Sequence, residues 1–372
     1  MINQIADYLN SHGLKIKMLH QRQGPKCMLA ELVWLDEPQN RELEKIIPQM
    51  MQELKCKSII TEAIPETENL LMEIPLDQEQ SLDFSRLTAS EAFKNARGAL
   101  PICLGTDADG VPQISDLYQL RHLLLLGKNG CGKTSTLQSV VLSLTLKKNK
   151  DEIKFALFNA KGEFDIYDQQ SYLLTPVIKE YKQAREFLAW LCEETERRRL
   201  LFQKSGSHHI RDYHNHVGTL PYIVVVLDEF YDLTEQEPLA ANYMNLLLQK
   251  GGACGIFLVM SATDPNYEKI SFLQRSDFLS VLIYQSQPSD FLKTFINSEN
   301  PSFLQPQADA WLNVCKSSLK RIHTCRMSTK YIKQILEPYQ KEIFSLPLEN
   351  YDEKAIPKDT SSIWKNFLNW WK

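Results

Sequence analysis

The sequence predicts an α/β protein, a doubly wound and mostly parallel sheet preceded by a small α+β unit, on three observations. The apolar tetrad Leu123 to Leu126 runs into Gly127-Lys128-Asn129-Gly130-Cys131-Gly132-Lys133-Thr134 and then an amphipathic stretch, Ser135 to Leu144, so strand, glycine loop and helix follow without a gap. Tyr222 to Leu227 is an almost unbroken β-branched run after Pro221, the pattern of a central parallel strand buried on both faces. Strand-like and helix-like segments alternate around these two, which argues for crossover connections and for ligands at the carboxyl ends of the strands.

Taken in order, Asn3 to Leu9 and Asn40 to Leu54 have helical apolar spacing, while Leu14 to Leu19, Cys27 to Leu35, Cys56 to Ala63 and Asn69 to Ile74 read as strands. Residues 1–99 hold no catalytic cluster and read as an accessory unit closing in a polar connector, Asp77 to Arg97. Residues 100–329 form the main domain. There Ile153 to Phe158 is a buried strand ending in Asn159-Ala160-Lys161, and Lys182 to Phe202 is a long helix. Its charge run, Glu193 to Arg199, reads as a solvated face with i,i+4 pairing. Ser205 to Val217 reads as a histidine-rich loop whose spacing fits no standard metal site. Gly255 to Met260, Ser280 to Tyr284, Ala310 to Val314 and Leu319 to Met327 supply further strands. In residues 330–372 a helix, Lys330 to Phe344, leads to an aromatic end at 361–372, with Ile363, Trp364, Phe367, Leu368 and Trp371 on one helical face. Two readings fit that tail, packing back on the body or docking a protein partner.

Composition narrows the class. At 372 residues the chain exceeds one ordinary core. Its 43% apolar and 24% charged residues are those of a soluble globular protein. A net charge of −4 excludes a globally basic nucleic-acid binder, although a ring can confine its basic groups to a pore loop. The eight cysteines include no C-x-x-C pair and read as free thiols of a reducing cytoplasm rather than as zinc ligands or a disulfide framework. No apolar run approaches the roughly 18 residues of a membrane span, so no direct membrane insertion is expected.

The glycine loop matches G-x-x-x-x-G-K-T without a mismatch. Glycines let consecutive backbone N–H groups converge on a phosphate, and the following helix start adds partial positive charge. The nucleotide-binding residues expected here are Gly127, Asn129, Gly130, Cys131, Gly132, Lys133, Thr134 and Ser135. Lys133 reaches the β and γ phosphates, and the Thr134 hydroxyl takes one place on a Mg²⁺ ion that bridges them. The strand ending in Asp228-Glu229 supplies the other half of such a site, one carboxylate for the metal and one to activate water.

Several segments together resemble the FtsK/SpoIIIE family of DNA-pumping ATPases. They are Leu100 to Gly105, the P-loop, Leu174 to Val177, Glu196-Arg197-Arg198, Pro221 to Leu233 with Asp228-Glu229-Phe230, and Gly255-Ile256 leading to Ala262-Thr263. The resemblance covers Leu100 to about Thr329 and, more weakly, Gly24 to Pro75. It implies a RecA-like ATPase that binds ATP and Mg²⁺, assembles as a hexameric ring and pulls double-stranded DNA through the pore. It also assigns roles. Asp228 becomes the metal-side acid with Thr134, Glu229 the water activator, and Thr263 the polar sensor of the γ-phosphate, alongside Lys133 on the phosphates.

The departures from the family pattern carry information too. Ala262-Thr263-Asp264-Pro265 stands where Ala-Thr-Gln-Arg-Pro is usual, and Asn159-Ala160-Lys161 where Asp-Pro-Lys is usual. The basic pore-loop helix survives only as Lys250, which reads equally as a pore contact for DNA or as a helix C-terminal charge before Gly251. Glu235 and Glu237 oppose Lys250 in that segment. The trans-acting arginine is left to Arg321 or Arg275 as candidates. The family's membrane-spanning and winged-helix segments are not found. These departures favour a plasmid, integrative-element or phage relative that moves DNA during transfer. The alternatives are a secretion-system ATPase of the same superfamily acting on protein, and a nucleotide-switched binding module.

Overall fold

The computed structural model describes residues 3–24, 27–56, 59–64, 69–76, 82–168, 170–263, 268–270, 272–273, 279–286, 289–296, 304–305, 307–316 and 318–339. Arg275, Asp264, Pro265 and the aromatic tail at 361–372 lie outside these residues, as does the end of the Lys330 to Phe344 segment.

Strands β1 (Ile16–Gln23), β2 (Cys27–Trp34), β3 (Ile60–Ala63) and β4 (Leu70–Pro75) form a small antiparallel sheet in the order β1-β2-β4-β3. One face alternates apolar residues, Ala30 and Leu32 beside Met72 and Ile74, and packs against helices Asn3–Ser11 and Asn40–Glu53 through Ile5, Leu9, Leu43 and Met50. This is the helix-on-sheet unit that the spacing predicts.

The second sheet comprises β5 (Pro101–Thr106), β6 (Pro112–Asp116), β7 (His122–Gly127), β8 (Ile153–Phe158), β9 (Tyr222–Leu227), β10 (Ile256–Thr263), β11 (Leu279–Tyr284), β12 (Asp309–Val314) and β13 (Ser318–Thr324). Its order is β6-β5-β13-β12-β11-β7-β10-β9-β8. The run β11-β7-β10-β9-β8 is parallel, and β12, β13, β5 and β6 extend it antiparallel. Alternate side chains enter separate cores on the two faces, Leu123 and Leu125 with Val224 and Val226 on one, Leu124 and Leu126 with Ile223 and Val225 on the other. Two covered faces explain why these strands are apolar throughout. Helix Lys133–Lys147 covers the first face through Leu137, Val140 and Leu144. Helices Tyr181–Ser205 and Leu239–Lys250 cover the second through Leu188, Leu191, Met244 and Leu247. The α/β doubly wound class is therefore observed.

Three local expectations change. The polar stretch before β5 contains two short helices, Phe84–Thr88 and Glu91–Lys94, and puts Phe84, Leu87 and Phe93 into the main core. Three apolar anchors in a polar segment suffice to dock it, though they set up no period to read. The histidine-rich loop contains a helix, Ile210–His216, whose His209 ring accepts a hydrogen bond from the Asp212 N–H at 3.3 Å. In the charge run, Glu194 and Arg198 are 3% and 2% exposed, so that part of the face is buried rather than solvated.

Candidate nucleotide site

Four parallel strands, β7, β10, β9 and β8, lie side by side, so the segments that follow them share one edge of the sheet. The loop after β7 carries Gly127 to Gly132. Gly127 has φ +153°, and a Cβ there would stand 2.6 Å from the Tyr284 Cβ, so only glycine lets the loop leave β7 beside β11. Gly132 at φ +114° opens helix Lys133–Lys147. The Lys133 ammonium is folded back into the loop, donating to the carbonyls of Gly127 and Lys128 at 3.0 Å each. The Cys131 side chain is buried, and its carbonyl accepts from the Ala308 N–H at 2.8 Å. Cys131 can therefore offer a phosphate only its backbone N–H.

Asp228, at the end of β9, is the hub. Its carboxylate accepts from the Thr134 hydroxyl at 3.3 Å and from the Asn159 amide at 2.9 Å, both on Oδ2, and from the Ser261 hydroxyl on Oδ1. Burial pushes its carboxyl above the ordinary aspartate value, the Ser261 and Asn159 hydrogen bonds oppose this, and the nearby charges of Glu229 and Glu163 add to it. Thr134 and Asp228 are hard oxygen donors of the kind that suit Mg²⁺. A cation placed between them would relieve the cost of the buried charge.

Glu229 follows in a left-handed conformation, φ +53° and ψ +50°. For a side chain of this size that costs on the order of 1–3 kcal/mol, a strain typical of functional positions. It turns the carboxylate toward β10, where Oε2 accepts from the Thr263 N–H at 2.8 Å and Oε1 from its hydroxyl at 2.5 Å. The Thr263 hydroxyl also lies 3.3 Å from Asn129 Oδ1, and the Lys161 ammonium 4.0 Å from Glu229 Oε1. Thr263 thus links the P-loop to Glu229, because β10 lies between β7 and β9.

The structure brings Lys133, Thr134, Asp228, Glu229, Thr263 and Asn129 together. Lys250 lies elsewhere, exposed at the end of helix Leu239–Lys250, just before the start of β10 and so at the opposite edge of the sheet. Glu235 and Glu237 do not oppose it there: Glu235 pairs with Lys269 at 2.7 Å and Glu237 with Arg185 at 3.4 Å. Arg321 is withdrawn as a trans-acting arginine. Its buried guanidinium holds both oxygens of Asp309, at 2.9 and 2.8 Å, and also contacts Glu73.

Sequence reasoning missed Asn159 and Ser261 as partners of Asp228. Both stand at strand ends in polar clusters, but nothing in spacing says which acid they face. The amide at 159 has a physical consequence, since it donates to Asp228 where a carboxylate would add a third negative charge beside Glu229.

The residues matched by the FtsK/SpoIIIE family profile are 84–273, just over half of the chain and containing the whole constellation around Asp228. The chain belongs to the FtsK/SpoIIIE family. Among its relatives, the DNA translocase FtsK of Haemophilus ducreyi is 27% identical over 370 residues, covering 91% of this chain and 39% of that protein. The DNA translocase SftA of Bacillus subtilis is 29% identical over 278 residues, covering 72% of this chain and 29% of that protein. The chain therefore spans well under half the length of either. In fold it is similar to the pCW3 conjugation coupling protein TcpA, with a TM-score of 0.61 and 17% identity, over 90% of this chain and 97% of that one. No helix among the described residues is long and apolar enough to cross a membrane.

The raised carboxyl of Asp228 gives a prediction for this FtsK/SpoIIIE site. A carboxyl raised by folding binds its proton more readily in the folded chain, so stability falls as pH rises through the window between the unfolded and folded values. At neutral pH the ionised group is a net cost. Asp228→Asn removes that charge while its amide can still bond Ser261, Asn159 and Thr134. The variant is expected to melt at a higher temperature than wild type without ligand, by calorimetry, and to lose Mg²⁺-dependent turnover. An unchanged or lower melting temperature would contradict the assigned strain.

Proposed function

We propose that the chain is an ATP-driven motor that moves double-stranded DNA through a ring of its own copies, a hexamer, in the cytoplasm during transfer of a plasmid or other mobile element. The observation that carries the ATPase reading is the single edge on which Lys133, the Thr134–Asp228 pair and the strained, Thr263-held Glu229 converge. In this reading Lys133 would exchange the loop carbonyls for phosphate oxygens, Thr134 and Asp228 would hold Mg²⁺, and Glu229 would orient the attacking water. When bound, Mg²⁺ would supply neutralisation of the phosphate charge. Support for DNA as substrate comes from the family relatives, and support for the transfer setting from the departures noted in the sequence and from the likeness to TcpA.

Turnover measured with and without duplex DNA, over a range of protein concentration, tests the proposal. Stimulation by DNA and a more than linear rise with concentration are expected of a ring-forming pump. DNA-indifferent turnover would favour a protein-secreting ATPase, and no turnover a nucleotide-switched binding module that engages a protein partner, for which the 361–372 tail is a candidate.

Lys250 is proposed as a DNA phosphate contact. It is exposed and distant from the P-loop, and repeated around a ring it would line the pore with several positive charges whose effect salt weakens steeply. Lys250→Ala is expected to abolish DNA stimulation while leaving basal hydrolysis nearly unchanged. Reduced thermal stability with DNA stimulation and its salt dependence untouched would instead make Lys250 a helix-end charge.

A further inference from the structure

We infer that the seam between the small sheet and the main sheet holds a zinc ion on three protein donors, Cys27, Glu73 and His323. Cys27 and Glu73 lie on neighbouring strands, with Leu29 opposite Glu73 and Cys27 opposite Pro75, so both point from the same face of the small sheet. That face is turned away from the unit's own core, yet Cys27 is 1% and Glu73 6% exposed. What faces them is the end of β13 with Arg321 and His323, beside Asp309 of β12.

The Cys27 sulfur, a Glu73 carboxylate oxygen and a His323 ring nitrogen all lie within 4.8 Å of one another, with Cys27 Sγ to His323 Nε2 at 4.0 Å. Around tetrahedral zinc, with bonds of about 2.0–2.3 Å, adjacent donors stand roughly 3.3–3.8 Å apart. Contraction by up to about 1.5 Å would close the set. His323 Nδ1 faces Asp309 Oδ1 at 3.5 Å, longer than a hydrogen bond; a small shift would give the carboxylate–histidine arrangement that orients a metal-binding ring through its other nitrogen. Arg321 contacts one oxygen of Glu73, and a carboxylate has a second to give.

Charge points the same way. Among the described residues, Glu73 and Asp309 bring two buried negative charges and Arg321 one positive charge. A divalent ion together with the Cys27 thiolate brings the cluster to neutrality. Thiolate and imidazole donors select zinc over magnesium or calcium, which take oxygen ligands. Such an ion would tie the small unit to the main sheet close to the nucleotide loop, since Ala308, next to Asp309, donates to the Cys131 carbonyl.

The test uses the full chain. Zinc content after dialysis is expected to be one ion per chain in wild type and to fall in Cys27→Ser and His323→Ala. Cobalt in place of zinc should give a thiolate-to-metal charge-transfer band in the near ultraviolet, which oxygen-ligated metal at Thr134 and Asp228 cannot produce. Zinc should raise the melting temperature of wild type and not of the variants. Glu73→Gln keeps the side-chain shape should the other variants fail to fold, and is expected to weaken cobalt binding. Absence of the band in wild type, or a band undiminished in Cys27→Ser, overturns the assignment. The seam would then be an ion network around Arg321.

Discussion

Glu229→Gln is expected to lower ATP turnover by about 10²–10⁴-fold, the usual contribution of a positioned general base, while nucleotide affinity stays near wild type. Lys133→Ala is expected to weaken nucleotide binding itself. The difference follows from position. Lys133 emerges from the P-loop and presents its charge where phosphates would lie, its present partners being loop carbonyls. Glu229 stands on the other side of the site, its carboxylate fixed by the N–H and hydroxyl of Thr263. Glutamine keeps an oxygen for the Thr263 N–H and the size of the side chain, but cannot take a proton from water. Titration of a fluorescent ATP analogue beside steady-state turnover separates the two effects. Equal loss of affinity in both variants would overturn the division of roles.

Arg198→Ala is expected to destabilise the fold by about 1–3 kcal/mol for each of the two buried backbone carbonyls it leaves without a donor. Arg198 donates to Glu194 at 2.6 Å and, through Nη1, to the carbonyls of Pro221 and Cys254 at 2.9 Å each. Those carbonyls lie just ahead of β9 and β10, so one guanidinium joins the long helix to the starts of two central strands. Removing it leaves two backbone acceptors short of a donor in a dry place, while Glu194 keeps Arg197 on both oxygens. Burial alone would raise the Glu194 carboxyl, but the charges of Arg198 and Arg197 and their hydrogen bonds hold it below the ordinary glutamate value. A depressed carboxyl contributes stability above its unfolded value, about 4.3, that is lost as pH falls through the folded value. The urea midpoint should drop in Arg198→Ala, and the acid-side loss of stability should be blunted. Arg199→Ala, which removes an exposed pair with Glu196, is the control and should leave the midpoint in place. Equal effects in the two variants would refute the burial argument.

The sequence by itself determined those features that local spacing encodes. Strand, glycine loop and helix are consecutive, so the P-loop around Lys133 and Thr134 was legible from glycine positions and apolar period alone. The strand ending at Asp228 and Glu229 was legible because a strand buried on both faces must be apolar throughout. Which strands become neighbours is a different matter, since an apolar run declares burial and not its partners. Only the tertiary structure placed β10 between β7 and β9, and with that brought Thr263 against Glu229 and Asn129, and Ser261 against Asp228. It alone showed that Arg198 and Arg321 are buried, because a charge pattern looks the same whether a face meets water or the carbonyls and carboxylates of another element. The seam joining Cys27, Glu73 and His323 is the extreme case. Its residues come from distant parts of the chain and meet only because two sheets pack, a contact that depends on long-range burial rather than on any local period.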